Sequence, residues 1–249
     1  MMSTVVSVHD LGDGVAQITM HDKVSKNTFS VDLAEGLIEA FAEVGDDARF
    51  RCVILTGYDS YFASGGTKEA LLYLSDGKGK FTDRDLYSLA LNCPVPVISA
   101  MQGHGIGGGF VMGLFADFPI LSRESVYTTN FMKYGFTPGM GATWIVPQKL
   151  GISLAQEMLI VARTYRGEEL QKRGIPFPVI PRAQIMEYAL ELARTIAEKP
   201  RVSLVTLKNQ LVAPLRAGLP LAIAQEVAMH ETTFHQPEVK ARIEALFGA

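Results

Sequence analysis

Two glycine-rich corners are the part of this sequence best suited to chemistry. The first lies in residues 62–69 and contains Gly65 and Gly66, and the second runs over residues 103–109. Each follows an apolar, strand-like run and leads into a helix-like stretch, so both are predicted to direct backbone N–H groups at a ligand. Two such groups that converge on one point form an oxyanion hole, which stabilises negative charge on a carbonyl oxygen. The pattern therefore predicts an enzyme that forms an enolate.

The second corner also has the spacing G-x-G-x-x-G, at Gly103, Gly105 and Gly108, which is typical of dinucleotide-binding proteins. Against that interpretation, the motif lies in the middle of the chain. The next strand-like run, residues 118–122, comes too soon to supply the acidic residue that binds a ribose. Close packing of a helix on a sheet explains one or two glycines better than three in a row. We therefore favour a ligand other than a dinucleotide.

The composition is typical of an ordinary globular protein. The chain has 249 residues, of which 48% are hydrophobic and 20% charged, and its formal net charge is −3. The only two cysteines, Cys52 and Cys93, lie in apolar runs, as expected for buried thiols in a reducing compartment. The N-terminal residues do not resemble a signal peptide, and no apolar run is expected to span a bilayer. We expect a cytoplasmic protein with no nucleic-acid or membrane partner, no metal and no cofactor.

Strand-like and helix-like runs alternate through the first 150 residues, which favours a mostly parallel sheet covered by helices. Strands are predicted at 4–9, 15–20, 52–56, 95–101 and 118–122, and helices at 30–44 and 108–115. Helical periodicity then dominates, with prolines between the segments 154–161, 185–196, 203–211 and 221–234. The sequence thus predicts an α/β core over residues 1–150 and a helical C-terminal region over residues 151–249.

A third segment gives the two corners a specific context. Residues 62–69, 102–109 and 135–142 together resemble the crotonase (enoyl-CoA hydratase/isomerase) family in order, spacing and surrounding sequence. The resemblance covers nearly the whole chain. It implies a crotonase-type core of repeated ββα units, a C-terminal region for trimerisation and active-site cover, and a homotrimer or a dimer of trimers. It also implies that the N–H groups of Gly66 and Gly108 bind a thioester carbonyl.

Two positions depart from the pattern of the family's hydratases. Those enzymes carry one glutamate two residues after the glycine run and another before the P-G-x-G turn; here the positions hold Val111 and Phe131. Adding water requires a carboxyl group to activate it, which neither side chain supplies. We expect Val111, Phe131 and Tyr134 to form a dry substrate-binding surface. Glu69 and Asp76 could compensate, although neither occupies a matching position.

Lysine and histidine supply the remaining chemistry. Lys78 and Lys80 follow the first corner in a loop, where lysines are usually only solvated. His230 falls on an apolar helix face, where a histidine is more often a core residue. The balance changes because segments of this chain resemble the decarboxylating crotonases of polyketide β-branching, namely residues 65–69, 78–83, 130–141 and 229–235. That subgroup pairs a loop lysine with a C-terminal histidine, and these positions map best onto Lys80 and His230. Some members also use a loop tyrosine, for which Tyr73 is nearest.

The resemblance implies loss of CO2 from a 3-methylglutaconyl thioester on an acyl carrier protein, giving a 3-methylcrotonyl-type thioester. Lys80 would orient the departing carboxylate, the oxyanion hole would stabilise the dienolate, and His230 would protonate it. Coenzyme A in place of the carrier protein stays open. Isomerisation of an enoyl thioester, with His230 as proton shuttle, is the first alternative. A non-catalytic binding protein of the crotonase fold is the second, and the intact oxyanion glycines disfavour it.

Overall fold

The computed structural model describes residues 4–247. The strands are β1 Val6–Asp10, β2 Val15–Met20, β3 Cys52–Thr56, β4 Tyr61–Ala63, β5 Val97–Met101, β6 His104–Ile106, β7 Phe118–Ser122, β8 Val126–Thr128, β9 Tyr165–Arg166 and β10 Val179–Ile180. The helices are α1 Val31–Asp46, α2 Lys68–Ser75, α3 Leu89–Asn92, α4 Gly108–Leu114, α5 Ala142–Leu150, α6 Ile152–Val161, α7 Gly167–Lys172, α8 Ile185–Ala197, α9 Arg201–Thr233 and α10 Pro237–Leu246. Short 3₁₀ turns occupy Phe81–Asp83, Asn130–Tyr134 and Arg182–Gln184.

From β3 to β8, successive strands alternate between two sheets. The larger sheet has the order β1-β2-β3-β5-β7-β10, and the smaller has the order β4-β6-β8-β9. Pairing is parallel except at β1–β2 and β8–β9. The pairs β3–β4, β5–β6 and β7–β8 each contribute one strand to each sheet, and α2, α4 and α5 follow them in turn. This arrangement confirms the expected repeated ββα units.

Several core strands and helices form at the positions predicted from the pattern of neighbouring residues. Strands β2, β3 and β7 have the predicted bounds, and β3 is buried along its whole length. Helix α1 begins after Ser30, whose hydroxyl accepts a hydrogen bond from the N–H of Leu33 at 3.2 Å. The main core lies between the sheets and the helices, and a second cluster packs α8 on the outer face of the large sheet. Both thiols are buried, and burial raises the pKa of Cys52 to about 12.

Helix α9 differs from the prediction, because one 33-residue helix replaces two segments separated by prolines. Pro214 and Pro220 lie inside it, although proline removes a donor and crowds the preceding turn. Two hydrogen bonds fix the stretch of α9 between these two prolines to the rest of the fold. The indole N–H of Trp144 donates to the Leu215 carbonyl at 3.1 Å, and Arg216 donates to the Leu91 carbonyl at 2.7 Å.

The length of α9 also bears on the expectation that no apolar run spans a bilayer. By length and composition α9 meets the criterion for a membrane-spanning helix, which the two shorter predicted segments do not. That criterion is weak evidence, since core helices meet it as well. Here α9 packs on α5 and carries two buried charged residues, Lys208 and Glu226. Lys208 is 2.8 Å from Asp117 and also donates to two backbone carbonyls, so the helix is part of the fold.

The C-terminal region also contributes to both sheets. Strand β9 pairs with β8 at the edge of the small sheet, and β10 pairs with β7 at the edge of the large one. Neither was predicted, because a two-residue strand has too few residues to show an alternating pattern. The edges of the core are therefore completed by residues beyond position 150.

Candidate active site

The first glycine corner lies between β4 and α2. Gly65 has a φ of +74°, a conformation that glycine adopts without strain. Its carbonyl accepts a hydrogen bond from the N–H of Phe29 at 2.7 Å. Because the N–H on the other side of a trans peptide points the opposite way, the N–H of Gly66 points away from Phe29. Thr67 then caps α2, accepting from the N–H of Ala70 at 3.0 Å.

The second corner is the start of α4. Gly107, with a φ of +55°, precedes the helix and donates its N–H to the carbonyl of Thr128 at 2.8 Å. Gly108 is the first helical residue, so its N–H has no intrahelical acceptor and lies at the positive end of the helix dipole. Across residues 4–247, neither this N–H nor that of Gly66 has a hydrogen-bond acceptor. A Cβ placed on Gly65 would lie only 3.3 Å from the nitrogen of Gly108, so the corners are adjacent.

These N–H groups border a cavity of about 1120 Å³. The structure brings most of the predicted site residues to this cavity, namely Gly66, Lys80, Gly108, Phe131, Tyr134 and His230. Val111 is the exception, because its side chain is completely buried in the core cluster behind α4. The structure therefore does not place Val111 among the residues that line the cavity, and its contact with substrate stays a prediction. Its apolar character still leaves no carboxylate at that position.

The wall opposite the glycines is aromatic. Phe131 packs against Phe136 at 6.1 Å between ring centroids, and Tyr134 stacks on Phe136 at 6.1 Å and on Phe247 at 6.3 Å. Burial raises the pKa of the Tyr134 phenol, which keeps it neutral. Of the two carboxylates considered as substitutes, Glu69 lines the cavity. Asp76 instead forms ion pairs with Lys240 and Lys78, at 2.8 Å and 3.1 Å.

Lys80 lines the cavity and carries a half-exposed ammonium group. Its nitrogen Nζ lies 3.2 Å from Oε1 of Glu231 on α9, and its backbone N–H donates to Asp83 at 2.8 Å. An exposed ion pair contributes at most about 1 kcal/mol, so an incoming carboxylate can displace Glu231 at little cost. Lys78 is not among the cavity-lining residues and is paired with Asp76. The structure therefore distinguishes the two loop lysines, which the sequence alone leaves close to equivalent.

His230 projects from α9 into an aromatic cage. Its ring lies 5.1 Å from Phe81, 5.0 Å from Phe234 and 6.0 Å from Phe136, and its Nε2 lies 2.8 Å from the carbonyl oxygen of Thr137. A carbonyl only accepts, so Nε2 carries the proton that it donates. Burial lowers the pKa of His230, against the opposing effect of the Thr137 and Pro138 carbonyls. The resting imidazole is neutral at pH 7, and Nδ1 is the nitrogen not engaged with Thr137.

Tyr73, which was named from the sequence, and His104 both have clear positions. Tyr73 lines the cavity beside the Lys80 loop, where a Cβ on Gly79 would lie 2.8 Å from its ring. His104 accepts a hydrogen bond at Nδ1 from the N–H of Val126 at 3.0 Å and is not a cavity-lining residue. Sequence reasoning missed Met140 and Glu231, whose contacts with Gly108 and Lys80 are long-range and leave no local signal.

The burial of His230 predicts a pH dependence of stability. Its pKa is lowered from 6.5 in the folded state, so between the two pKa values the unfolded chain binds the proton and the folded chain does not. The contribution of neutral His230 to the free energy of unfolding is therefore complete above pH 6.5 and is lost as the pH falls through the folded-state pKa. We expect the difference in unfolding free energy between wild type and His230→Asn to shrink below pH 6.5. Denaturant titrations at several pH values measure it.

Comparison of the two proteins is the control, because His104, whose pKa burial also lowers, is common to both and cancels. A difference that stays constant from about pH 7.5 to about pH 5 would mean that His230 is not desolvated in the folded chain.

An oxyanion hole of two backbone N–H groups, set on ββα repeats above an aromatic cavity, defines an enzyme of the crotonase type. The family model for enoyl-CoA hydratase/isomerase matches residues 10–247, and the chain belongs to this family.

Individual relatives narrow the class further. The chain is 62% identical, over the full length of both proteins, to bacillaene synthase decarboxylase PksI of Bacillus subtilis. It is 25% identical to a probable enoyl-CoA hydratase of Rhodobacter capsulatus, over 89% of this chain and 86% of that one.

Among solved structures, the chain resembles one from a dehydratase/decarboxylase enzyme couple involved in polyketide β-branching. The TM-score is 0.98 at 62% identity, with 99% of this chain and 98% of that chain covered. It also resembles the ECH2 decarboxylase domain of CurF from Lyngbya majuscula. There the TM-score is 0.94 at 49% identity, and 98% and 99% of the chains are covered.

Proposed function

We propose that this crotonase-family decarboxylase of polyketide β-branching acts on a 3-methylglutaconyl thioester and releases a 3-methylcrotonyl-type thioester and CO2. The observation that carries the proposal is one cavity bordered by two unpaired backbone N–H groups, an ammonium group and an imidazole. The two positions at which hydratases of the family hold glutamate are here Val111 and Phe131. The site can therefore stabilise an enolate and hold a carboxylate, while neither of these positions can activate water.

Binding places the thioester carbonyl oxygen between the N–H groups of Gly66 and Gly108. The substrate carboxylate displaces Glu231 and pairs with the ammonium group of Lys80 through a charge-assisted hydrogen bond. This contact orients the breaking C–C bond perpendicular to the conjugated π system, the geometry needed for overlap. It must position the carboxylate without binding it tightly, because strong ground-state binding would oppose its loss.

Bond cleavage then moves the electron pair of the C–C bond into the π system and onto the thioester oxygen. CO2 leaves and a dienolate remains. Each oxyanion-hole donor typically lowers such a barrier by about 3 kcal/mol in a water-poor site. The aromatic wall formed by Phe131, Tyr134 and Phe136 keeps water from this charge, which strengthens the interaction.

Protonation completes the reaction. His230 first takes a proton from solvent on Nδ1, and the imidazolium then donates that proton to the dienolate while Nε2 stays bonded to the Thr137 carbonyl. The product of this transfer is the neutral tautomer that the resting site favours. The lowered pKa makes the imidazolium a stronger acid, so the transfer is downhill. Delivery to Cα or to Cγ sets the position of the remaining double bond.

Isomerisation of an enoyl thioester is the second candidate. It is favoured by His230, which lies at the same cavity as the oxyanion hole and could move a proton between two carbons. Lys80 has no part in that reaction. A requirement for a substrate carboxylate therefore separates the two functions.

An acyl carrier protein is the proposed bearer of the substrate, and a homotrimer is the proposed assembly. Large apolar side chains are exposed on α6 and α9 and would be covered by neighbouring subunits. They are Ile152, Ile160, Val161, Val202, Leu207, Leu211 and Leu221.

Intact-mass spectrometry of a carrier protein loaded with 3-methylglutaconate tests the function. Enzyme-dependent loss of one CO2 supports it, and product NMR then gives the double-bond position. The coenzyme A thioester is the parallel substrate, which identifies the preferred carrier. No change in mass, together with movement of the double bond in a carboxylate-free enoyl thioester, would overturn the decarboxylase in favour of the isomerase.

A further inference from the structure

The turn of residues 137–141 separates helix α9 from the oxyanion hole. Met140 sits in this turn with a φ of +63°, a left-handed conformation that is strained for a side-chain-bearing residue. Its sulfur lies directly against Gly108: a Cβ on that glycine would be 2.4 Å from Sδ. Both Gly139 and Met140 line the cavity. The position of this turn therefore sets the wall that faces one of the two oxyanion donors.

One face of α9 binds the turn through polar side chains. Glu226, His230 and Thr233 follow at spacings of four and three residues, so they project from the same side of the helix. Thr233 binds the N–H and the hydroxyl of Thr137, at 3.3 Å and 3.0 Å, and His230 binds the Thr137 carbonyl at 2.8 Å. These contacts fix the start of the turn.

Glu226 fixes the end of the turn. One carboxylate oxygen accepts from the N–H of Gly141 at 2.7 Å, and the other accepts from the N–H and hydroxyl of Thr143 at 2.8 Å and 2.6 Å. Gly141 precedes α5 and has no side chain with which to cap it, so Glu226 caps the helix from α9. Glu226 is fully buried and is not a cavity-lining residue.

Capping a helix does not require a buried carboxylate from another helix. Helix α1 is capped by its own Ser30 without a buried charge, whereas burying a carboxylate opposes its ionisation and raises the pKa of Glu226. The additional effect of Glu226 is to hold the turn on the C-terminal side of the strained Met140, because the first N–H from which it accepts belongs to the very next residue, Gly141.

We propose that Glu226 is a positioning residue for the oxyanion hole: it holds the turn that keeps Met140 against Gly108, and so fixes the donor geometry without touching substrate. The kinetic consequence rests on the proposed function. The effect on donor geometry is independent of that function, because it would alter the hydrogen bonds to any thioester carbonyl bound at these N–H groups.

Glu226→Gln is the test variant, and Lys208→Met is its matched control. Glutamine keeps the size of the side chain, but its amide nitrogen cannot accept, so one turn N–H loses its acceptor. Lys208 is the other buried charge of α9, and it binds the carbonyls of Ala90 and Val95 far from the turn. We expect Glu226→Gln to lower kcat by roughly tenfold to a hundredfold with little change in KM. Lys208→Met is expected to lower only the melting temperature.

A spectroscopic measurement separates this proposal from the proposed function. The probe is the thioester of pantetheine with 3-methylglutarate, which lacks the double bond needed for decarboxylation, labelled with ¹³C at the thioester carbonyl. Bound to wild type and to Lys208→Met, its carbonyl stretch is expected to shift to lower frequency. Bound to Glu226→Gln, the shift should be smaller. This result is independent of whether the enzyme releases CO2.

Equal carbonyl shifts in wild type and Glu226→Gln would overturn the proposal, as would equal losses of kcat in Glu226→Gln and Lys208→Met. Should Glu226→Gln fail to fold, Thr143→Val removes only the hydroxyl donor at 2.6 Å. It is expected to give a smaller decrease of the same carbonyl shift, and an unchanged shift would again contradict the role.

Discussion

Replacing Lys80 with alanine is expected to reduce kcat for the carboxylate-bearing thioester by roughly a hundredfold or more. Lys80 lines the cavity, and its ammonium group is paired with Glu231. We expect the substrate carboxylate to replace Glu231 as the partner of this ammonium group. Without it the carboxylate loses its orientation, and misplacement of a reacting group by about 1 Å can cost a hundredfold in rate. Steady-state assays of CO2 release measure the effect.

Lys78→Ala is the matched control for this experiment. It removes the same residue type two positions away, from a side chain paired with Asp76 that does not line the cavity. We expect kcat within about twofold of wild type for this variant. Unchanged turnover in Lys80→Ala, or equal losses in both variants, would remove Lys80 from the mechanism.

Gly108→Ala is expected to have a comparably large effect, with kcat lowered by roughly a hundredfold to a thousandfold. The added methyl group would lie 2.4 Å from Sδ of Met140 and 3.1 Å from the ring of Phe29. Relief of this overlap is expected to displace either Met140 or the start of α4, and both border the N–H that we propose binds the thioester oxygen. The measurement is kcat alongside a melting curve, which shows that the variant is folded.

Gly66→Ala provides the contrast, because it alters the other oxyanion donor at a more tolerant position. Gly66 is not in the left-handed region, and a Cβ there would lie 3.3 Å from the flexible end of Leu71. Because this overlap is much smaller, the N–H of Gly66 should stay close to its position, and the loss of kcat should be at least about tenfold smaller than in Gly108→Ala. The reverse order of the two losses would mean that the donors are not arranged as described.

The sequence was sufficient for features with a local cause. The apolar run of β3 and the cap of α1 at Ser30 are set by neighbouring residues, and they form with the predicted bounds. Helix α9 was divided wrongly, because the penalty of Pro214 and Pro220 is local, whereas the hydrogen bonds that fix the helix between them join it to Trp144 and Leu91, in distant parts of the chain.

The site divides in the same way. The glycine corners could be recognised from sequence, because only particular backbone conformations serve their chemistry. The assignment of Lys80 and His230 needed the family resemblance, since a loop lysine and a helix histidine have common structural explanations. The burial of Val111 behind α4 depends on how the helix is rotated about its axis. The pattern of residues did not determine that rotation.

The ion pair between Lys80 and Glu231 has a consequence for the whole catalytic cycle. The resting enzyme already holds the carboxylate of Glu231 on the ammonium group proposed to bind the substrate carboxylate, so substrate binding would exchange one counter-ion for another. The substrate gains only the difference between two similar ion pairs, which leaves its carboxylate loosely held. When CO2 departs, the half-exposed ammonium group is left without its substrate partner, and Glu231 is close enough to return. The enzyme thus carries a replacement anion for the one that its reaction destroys.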